Sequence, residues 1–474
     1  MGHKRTIGHV NTTHRWFYKI SMGCLGMLLG LNLSVAQAQT APSQAVHTAE
    51  LANGMQVIVK TDHRSPVAVQ QVWYKVGSNF EHSGRTGLSH MLEHMMFKGT
   101  ETLAPGEFSD IVSKLGGQEN AFTSRDYTAY YQVVGAEHLP TVMKHEADRM
   151  RNIAITDEHF QTERDVVTEE RRWRTEDRPS SKLYELFRAT AFINSPQHHP
   201  VIGWMSDIQN WTLEDVQAWY QRWYAPNNAT LVVVGDVDPK QVIQWAQTHY
   251  GQHASEKIAP PKPQTEMPQN GERRMTLKAA THTPELLMGF HVPSLVTAQD
   301  ASDVYALAVL NHILDGDDSA RLTTELVNES KLNSASSWYD STSRWDSLFT
   351  FNATPKQGQS LDEVEQLLWA QIERLQTELI SEADLQRVLA QAEAQHVYHQ
   401  DSIQAQARLL GMLASLDLPL DTYDNWAKNL RQVTPEDVRA VAQKYLKTDK
   451  ATYAHLYPNG EAVSRKAPPT GGMH

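Results

Sequence analysis

The chain has 474 residues, of which 40% are hydrophobic and 21% are charged, so it has a globular composition and room for two or more cores. Its formal net charge of −12 at pH 7 argues against nucleic acid as a partner. Because Cys24 is the single cysteine, an internal disulfide is excluded and hydrophobic cores must stabilise the fold.

The first 38 residues have the pattern of a secretory signal peptide. They carry four basic residues and no acidic one, followed by an apolar run from Ile20 to Val35 and the small-residue segment Ala36-Gln37-Ala38. We expect cleavage near Ala38, after which 39 basic and 55 acidic residues remain, a net charge of −16. A mitochondrial transit peptide, a lipid attached at Cys24 and an uncleaved anchor are the alternatives. The continuous apolar run disfavours a transit peptide, and the lack of an apolar run before Cys24 disfavours lipid attachment. An apolar run of 16 residues is short for a membrane anchor.

Apolar patterns predict strands on both sides of a helical middle. The segment 50–60, ELANGMQVIVK, predicts two strands joined by an Asn53-Gly54 turn, and residues 67–77 predict another strand. Residues 229–235, ATLVVVG, predict a buried strand. Residues 252–272 are rich in proline and have no periodic pattern, which indicates a linker between two halves.

An internal repeat indicates duplication of one domain. The segment TLEDVQAWYQRWYAPNNAT from Thr212 aligns without gaps on TPEDVRAVAQKYLKTDKAT from Thr434, an offset of 222 residues. The same offset places LSHMLEH (88–94) over LNHILDG (310–316), in which glycine replaces the second histidine. We therefore predict an α+β fold with two homologous domains of about 200 residues each, packed as a pair.

Residues 87–100, GLSHMLEHMMFKGT, predict a buried helix with Thr86 as its N-cap and Gly99 at its end. At about 100° per residue, His94 lies about 40° from His90 and Glu93 about 60° to the other side, so the three side chains share one face. Burying them without partners would cost several kcal/mol, and a divalent metal removes that cost because imidazole nitrogens become its ligands. A tetrahedral catalytic site needs a third protein ligand.

The candidate for this ligand lies in a second predicted helix, TDEHFQTERDVVTEERRWR (156–174), which starts with a Thr156 cap. Four of its residues are spaced i, i+3, i+4 and i+7 on a stripe expected to face the core: Glu163, Val166, Val167 and Glu170. This periodicity favours Glu170 over Glu169 as the ligand. The alternative is that both glutamates of the stripe are ordinary solvated helix residues.

The motif H-x-x-E-H, followed 76 residues later by the last glutamate of ERDVVTEE, resembles the inverzincins, the pitrilysin or insulinase family that includes mitochondrial processing peptidase. The resemblance extends over nearly all of residues 48–460 and includes LGGQENAFTSRDYTAYY and the halving of the chain. It implies two homologous αβ-roll domains with antiparallel-rich sheets on which helices pack. The expected divisions are a signal peptide at 1–38, an N-terminal catalytic metallopeptidase domain at 44–251, a linker at 252–272, a C-terminal homologous domain without the metal site at 273–460, and a flexible tail at 461–474.

The resemblance implies a zinc endopeptidase that hydrolyses peptides or unfolded protein segments. His90, His94 and Glu170 are the implied ligands of one zinc ion per active site. Glu93 is the implied general base toward metal-activated water, and Glu163 is the acid that assists by orienting a ligand histidine.

Substrate contacts are implied in both halves. The segment ENAFT matches the strand on which the family binds substrate, which implies that Asn120 and Ala121 contact an extended peptide. In the second half, ARLTTELVNES and the aromatic strand after it imply Arg321 and Tyr339 as further contacts. Where the family often has a GLAYS-like segment, this chain has KLNSASS.

The family also implies a partner and a location. Chains of this length resemble half of its long single-chain members, which implies a second subunit, as a homodimer or a heterodimer with a related chain. Exported bacterial members imply the periplasm, with no stable membrane span once the signal peptide is cleaved. The alternative function is a noncatalytic peptide-binding or assembly subunit, and a histidine-rich metal carrier is a third. Retention of all four residues of the site favours the enzyme.

Overall fold

The computed structural model describes residues 45–259 and 262–461, so the predicted signal peptide and residues 462–474 of the predicted tail lie outside the described residues. In those two ranges, no helix combines the length and the apolar character needed to cross a bilayer. Within the predicted linker, residues 252–259 and 262–272 form neither helix nor strand.

Six strands form a first sheet, in the spatial order β1-β2-β6-β3-β5-β4. Their bounds are β1 (Val46–Glu50), β2 (Gln56–Thr61), β3 (Val67–Tyr74), β4 (Gln118–Thr123), β5 (Thr128–Gly135) and β6 (Ala229–Gly235). All neighbours are antiparallel except β2 and β6, which are parallel. The four predicted strands are present, although β1 begins before the predicted segment, at Val46, and β3 ends at Tyr74 instead of residue 77. Gly54, with a φ of 83°, lies in the turn between β1 and β2. Because β4 pairs only with β5, it is an edge of this sheet.

Eight α-helices accompany these strands. They are α1 (Leu88–Met95), α2 (Glu107–Lys114), α3 (Leu139–Asn152), α4 (Asp157–Arg171), α5 (Pro179–Ala191), α6 (Met205–Asn210), α7 (Leu213–Trp223) and α8 (Pro239–His249). A short π-helical segment, Arg172–Glu176, continues α4. The face of the sheet that carries Val57, Val72 and Leu231 packs against all of these helices except α5 as one hydrophobic core.

The second half contains a five-stranded sheet and six α-helices. The strands have the order β7-β11-β8-β10-β9, with bounds β7 (Arg273–Ala279), β8 (Glu285–Val292), β9 (Ser334–Tyr339), β10 (Ser347–Thr354) and β11 (Thr452–Pro458). The helices are α9 (Ala301–Asp315), α10 (Leu361–Thr377), α11 (Glu382–Asp401), α12 (Ile403–Ser415), α13 (Trp426–Leu430) and α14 (Pro435–Tyr445). All of these helices except α12 pack with strands β8 to β11 in a second hydrophobic core.

The two sheets share one strand order, as expected for a duplication. In order, β2, β6, β3, β5 and β4 correspond to β7, β11, β8, β10 and β9, and in each sheet the first two of these strands are parallel. The aligned helices α7 and α14 each begin with a capping box, formed by Thr212 with Asp215 and by Thr434 with Asp437. The predicted α+β fold with two homologous halves is confirmed.

Each half also supplies one helix to the sheet of the other half. α12 packs on the first sheet, where a Cβ on Gly411 would lie only 2.1 Å from the ring of Trp73. α5 packs on the second sheet, where the ring of Phe187 lies against Gly289 in the same way. Because α5 and α12 lie close to the 222-residue offset, they are equivalent helices exchanged between the halves.

Candidate metal centre

The helix that carries the histidine motif begins one residue later than predicted and has a different cap. Its N-cap is Gly87, whose φ of 87° is accessible to glycine and whose absent Cβ would lie 2.6 Å from a neighbouring carbonyl oxygen. The carboxylate of Glu81 accepts hydrogen bonds from the backbone N–H groups of Gly87 and Ser89 at 2.6 and 2.7 Å. The predicted cap at Thr86 is wrong, because its hydroxyl donates to Asp207 at 2.6 Å instead.

α1 ends at Met95 and not at the predicted Gly99. Its predicted burial is confirmed, since four apolar residues are at most 1% exposed: Leu88, Met91, Leu92 and Met95. This packing fixes the orientation of the helix, whose opposite face presents His90, Glu93 and His94 to a cavity.

α4 starts at the predicted cap, where the Thr156 hydroxyl accepts the N–H of His159 at 3.2 Å. Glu163 is 3% exposed and Val167 is fully buried, as their stripe predicts. Val166 is 45% exposed, so the expectation that it faces the core is wrong. It lines the cavity, because the cavity and not the core covers that part of the stripe.

Side chains of α1 and α4 converge on one point. The Oε2 of Glu170 lies 3.7 Å from Nε2 of His90 and 3.4 Å from Nε2 of His94, and one ligand atom from each residue lies within 4.8 Å of the other two. Glu169 is exposed and forms an ion pair with Arg172. In the described part of the chain, these three residues are the single such group of histidine, cysteine or carboxylate ligands.

The donor set fits a zinc ion. Two imidazole nitrogens and one carboxylate oxygen are typical zinc ligands, and three protein ligands leave a fourth tetrahedral position open. Ligands 2.0–2.1 Å from a tetrahedral ion lie about 3.3 Å apart, close to the two distances from Glu170 to the histidines. The Oε2 of Glu170 is buried and has no hydrogen-bond donor among the described residues, as expected for an oxygen that binds a cation.

Further charged groups hold these side chains in place. Glu163 accepts from Nδ1 of His94 at 3.1 Å through Oε2 and pairs with Lys98 at 2.7 Å through Oε1. Arg174 pairs with the Oε1 of Glu170 at 2.8 Å, which leaves Oε2 directed at the histidines. Glu163 therefore orients His94, and Arg174 orients Glu170.

Glu93 lies beside the ligand group on α1. The hydroxyl of Thr123, at the end of β4, donates to Oε2 of Glu93. Burial raises the pKa of Glu93, although the hydrogen bond from Thr123 opposes the shift. A raised pKa makes the carboxylate a stronger base, which favours its role as a proton acceptor.

The two histidines differ in charge before a metal binds. Burial, and then the neighbouring His94, lower the pKa of His90 to about 3, so its ring is neutral at pH 7. Burial alone would lower the pKa of His94 as well, but the carboxylates of Glu163 and Glu170 raise it to about 9. Although burial opposes it, the interaction with the histidines lowers the pKa of Glu170 to about 2. Before a metal binds, His90 is therefore neutral and Glu170 is ionised, as metal ligands must be, whereas His94 still carries a proton.

The cavity has a volume of about 1450 Å³ and is bounded by both halves. Asn120 and Ala121 line it from β4, as the sequence predicts for peptide contacts, and Asn352 lines it from β10. Arg321 and Tyr339 do not line it. The Nη1 of Arg321 is buried and has no hydrogen-bond partner among the described residues, and the Tyr339 hydroxyl donates to a backbone carbonyl at 2.6 Å. Their role as substrate contacts stays a prediction.

Several lining residues carry no signal in the sequence. Arg125, Tyr184, Arg188, His198 and His199 lie in different segments and meet only at the cavity wall. The sequence shows Arg188 as one basic residue in an amphipathic helix, and nothing in its spacing indicates that it is 6% exposed.

Comparison with known proteins agrees with this architecture. A family model described as insulinase, peptidase family M16, matches residues 56–203, and one described as the peptidase M16 inactive domain matches residues 210–392. The zinc protease PqqE of Helicobacter pylori is 31% identical over 414 residues, which cover 86% of this chain and 92% of that protein. The chain belongs to the insulinase family, peptidase family M16.

Other members of the M16 family match over similar lengths. An uncharacterized zinc protease of Streptomyces coelicolor is 27% identical over 85% of this chain and 87% of its own length. The crystal structure of a protease from Helicobacter pylori has a TM-score of 0.83 at 31% identity and covers 88% of this chain and all of that one. The first half of the periplasmic protease PqqL from Escherichia coli, at 20% identity and a TM-score of 0.72, covers 87% of this chain and 91% of that one and shows the same fold.

The M16 family description agrees with the asymmetry between the halves. The ligand group lies in the region matched by the insulinase model, and the second half is largely matched by the inactive-domain model. At the position of α9 that corresponds to Glu93, Asp315 accepts a hydrogen bond from the backbone N–H of Ser337 at 2.9 Å. The next position, which corresponds to the ligand His94, is Gly316, so the second half lacks this histidine.

Proposed function

We propose that this protein is a zinc-dependent endopeptidase that hydrolyses peptides or unfolded protein segments. The observation that carries the proposal is the convergence of His90, His94 and Glu170 on one point, with Glu93 beside them in the wall of a cavity. Membership of the M16 family and the zinc proteases among its relatives support it.

The four side chains have separate roles. His90, His94 and Glu170 hold one zinc ion, and when bound this ion supplies a Lewis acid that activates water and polarises the scissile carbonyl. Glu93 takes the proton of the attacking water and returns it to the leaving amine. Because Thr123 occupies Oε2 of Glu93, its Oε1 is the atom available for the proton. Glu163 keeps the ring of His94 oriented through Nδ1.

An extended peptide is the substrate form that suits this cavity. β4 is an edge strand, and Asn120 and Ala121 face the cavity from it. A peptide can pair with such an edge through its backbone, while side pockets give limited specificity. A folded protein has no free extended segment to offer, so we expect poor cleavage of native proteins.

The remaining features belong to the same proposal. We infer a catalytic domain at 44–251 and a homologous domain without a metal site at 273–460, acting as a homodimer or with a related chain. We also infer export to the periplasm after cleavage near Ala38, and PqqL of Escherichia coli, which has the same fold, is a periplasmic protease. The competing function is a noncatalytic peptide-binding or assembly subunit, which would use the cavity without turnover.

Zinc content and peptide cleavage, measured for the wild type and for Glu93→Gln, test the proposal. We expect one zinc per chain in both proteins and cleavage of unstructured peptides by the wild type alone, because the substitution removes the base and leaves the ligands. Glu169→Gln, on the exposed side of α4, is the matched control and should cleave like the wild type. One zinc per chain without turnover in any of the three would favour the binding subunit.

A further inference from the structure

Four cationic side chains line the cavity: Lys98, Arg125, Arg174 and Arg188. Two of them have acidic partners within the metal centre, since Lys98 pairs with Glu163 and Arg174 with Glu170. Arg125 and Arg188 differ, because neither forms an ion pair with any of the described residues. Lys98 and Arg174 therefore support the metal centre, whereas Arg125 and Arg188 carry charges that a bound anion could neutralise.

Arg188 is 6% exposed and lies on α5. Its Nε and Nη2 donate to the carbonyl oxygen of Gln197 at 3.2 and 3.1 Å, and Nη2 also donates to Oε1 of Gln197 at 2.7 Å. Both acceptors are neutral, and the guanidinium also lies over the rings of Tyr184 and Phe192, at 5.9 and 5.0 Å from their centroids. Arg188 is therefore held in position without an anionic partner among the described residues. A buried cation without an anionic partner is unfavourable. Burial, and then the charge of Arg125, lower the pKa of Arg188 to about 10.

Arg125 lies two residues beyond the end of β4 and is half-buried. Its Nε is buried and has no hydrogen-bond partner among the described residues. Tyr184 lies near both arginines: burial alone would raise the pKa of its hydroxyl, but the charges of Arg188 and Arg125 lower it. Asp340 is close enough to act electrostatically on Arg188, but it forms no ion pair with it and accepts hydrogen bonds from Thr342.

We propose that Arg125, Arg188 and the hydroxyl of Tyr184 form a subsite that binds a carboxylate of the peptide substrate, either an acidic side chain or the terminal carboxylate. A carboxylate between two guanidinium groups would relieve the repulsion between them and compensate the buried charge of Arg188. This inference rests on the proposed peptidase function and adds a preference among its substrates.

The position of the subsite relative to β4 makes such a contact possible. Asn120 and Ala121 lie on β4, and Arg125 follows the strand on the same wall of the cavity. Thr123, the strand residue that contacts Glu93, lies two residues before Arg125, and a peptide that extends β4 advances about 3.3 Å per residue, so a peptide bound next to Glu93 can also reach the subsite. The net charge of −12 makes the protein as a whole repel acidic peptides, so a preference for them must come from a local site.

Cleavage of matched peptides by the zinc-loaded protein tests the subsite. The peptides are unstructured, differ by one Glu or Gln moved through successive positions on both sides of the scissile bond, and carry either a free or an amidated C terminus. We expect one position, or the free terminus, to raise kcat/KM about tenfold over its neutral counterpart, as one charge-assisted hydrogen bond would. The position scan and the two termini distinguish an acidic side chain from a terminal carboxylate.

Arg125→Gln and Arg188→Gln should each reduce this preference to near unity, while cleavage of the neutral peptides persists. Arg431→Gln, which removes an exposed cation paired with Glu393 outside the cavity, changes the net charge equally and should keep the preference. If Arg188→Gln does not fold, Arg188→Lys and Arg125→Gln decide the question, since the Nε of Arg125 has no hydrogen-bond partner among the described residues.

The two proposals fail in different ways. If the wild type cleaves acidic and neutral peptides equally, or if the preference survives in Arg125→Gln and Arg188→Gln, the subsite is wrong and the peptidase proposal stands. If the zinc-loaded wild type cleaves none of them, the peptidase proposal fails. Fluorescence anisotropy of the same labelled peptides then decides the subsite: tighter binding of the acidic member, lost in Arg125→Gln, supports it, and equal binding overturns it.

Discussion

The hydroxyl of Thr123, the last residue of the edge strand β4, donates a hydrogen bond to Oε2 of Glu93 on α1. This contact links the strand proposed to bind the peptide to the residue proposed to transfer the proton. It also affects the charge of Glu93, because the hydrogen bond lowers the pKa that burial raises.

Replacement of Thr123 with valine should therefore change catalysis and leave metal binding intact. Without the hydrogen bond the pKa of Glu93 rises further, so the acidic limb of the kcat/KM profile should move to higher pH. We expect kcat to fall about tenfold because the carboxylate is no longer oriented. Thr123→Ser keeps the hydroxyl and should retain the wild-type profile. An unchanged pH profile in the valine variant, with normal zinc content, would contradict this role.

Glu163 and Glu169 offer a matched pair on one helix. Glu163 is buried and bonds to His94 and Lys98, whereas Glu169 is exposed and pairs with Arg172. Loss of a partner that orients a metal ligand typically weakens metal affinity about 10–100-fold. We expect Glu163→Gln to show a loss of this size in zinc competition with a chelator, and Glu169→Gln to show none. Equal affinities in the two variants would mean that Glu163 serves only the packing of α4.

Metal binding should release a proton from His94. In the metal-free protein the pKa of His94 is raised to about 9 and that of His90 is lowered to about 3, so at pH 7.5 His94 carries a proton and His90 does not. A metal must displace that proton, so apparent affinity should fall about tenfold for each unit that pH is lowered below 9. Calorimetric titration with zinc in buffers of different ionisation enthalpy measures the number of protons released. We expect about one per zinc, and a value near zero would contradict the assignment.

The exchanged helices make a prediction about stability. At Gly411 of α12, an added Cβ would lie 2.1 Å from the buried ring of Trp73, which also donates a hydrogen bond to Gln71. Because the ring cannot move freely, Gly411→Ala should destabilise the protein by about 1–3 kcal/mol through overpacking. Gly271→Ala, which meets no atom within 4 Å, should be close to neutral. The midpoint of urea unfolding, followed by tryptophan fluorescence, compares the two, and equal midpoints would contradict the packing.

The sequence predicts those parts of the fold that depend on local pattern. The strands around Gly54, the cap of α4 at Thr156 and the equivalence of α7 with α14 all follow from short segments, and the structure has each of them. The shared face of His90, Glu93 and His94 follows from helix geometry alone. The choice of Glu170 over Glu169 also depends on periodicity, and the distances agree with it.

The features that the sequence could not predict depend on partners distant in the chain. Thr86 has the residue type of a cap, but Asp207 is a stronger partner for its hydroxyl, and Glu81 serves the helix end instead. Val166 has the spacing of a core residue, but periodicity cannot distinguish a core from a cavity. The exchange of α5 and α12 is hidden for the same reason, since an apolar helix face does not specify which sheet covers it.

The free edge of β4 allows a test of how the peptide binds. The N–H of Ala121 donates to Oδ1 of its neighbour Asn120 at 2.8 Å and not to a strand, so it lies on the open side of β4. Alternate N–H groups of a strand point to the same side, so a peptide paired with this edge should direct every second amide toward β4. N-methylation of successive peptide amides, away from the scissile bond, should therefore lower kcat/KM with a period of two. Each sensitive position should lose roughly fivefold, about 1 kcal/mol per hydrogen bond, and the positions between them should be nearly unaffected. Sensitivity without alternation would mean that the peptide binds through its side chains, and strand addition to β4 would then be wrong.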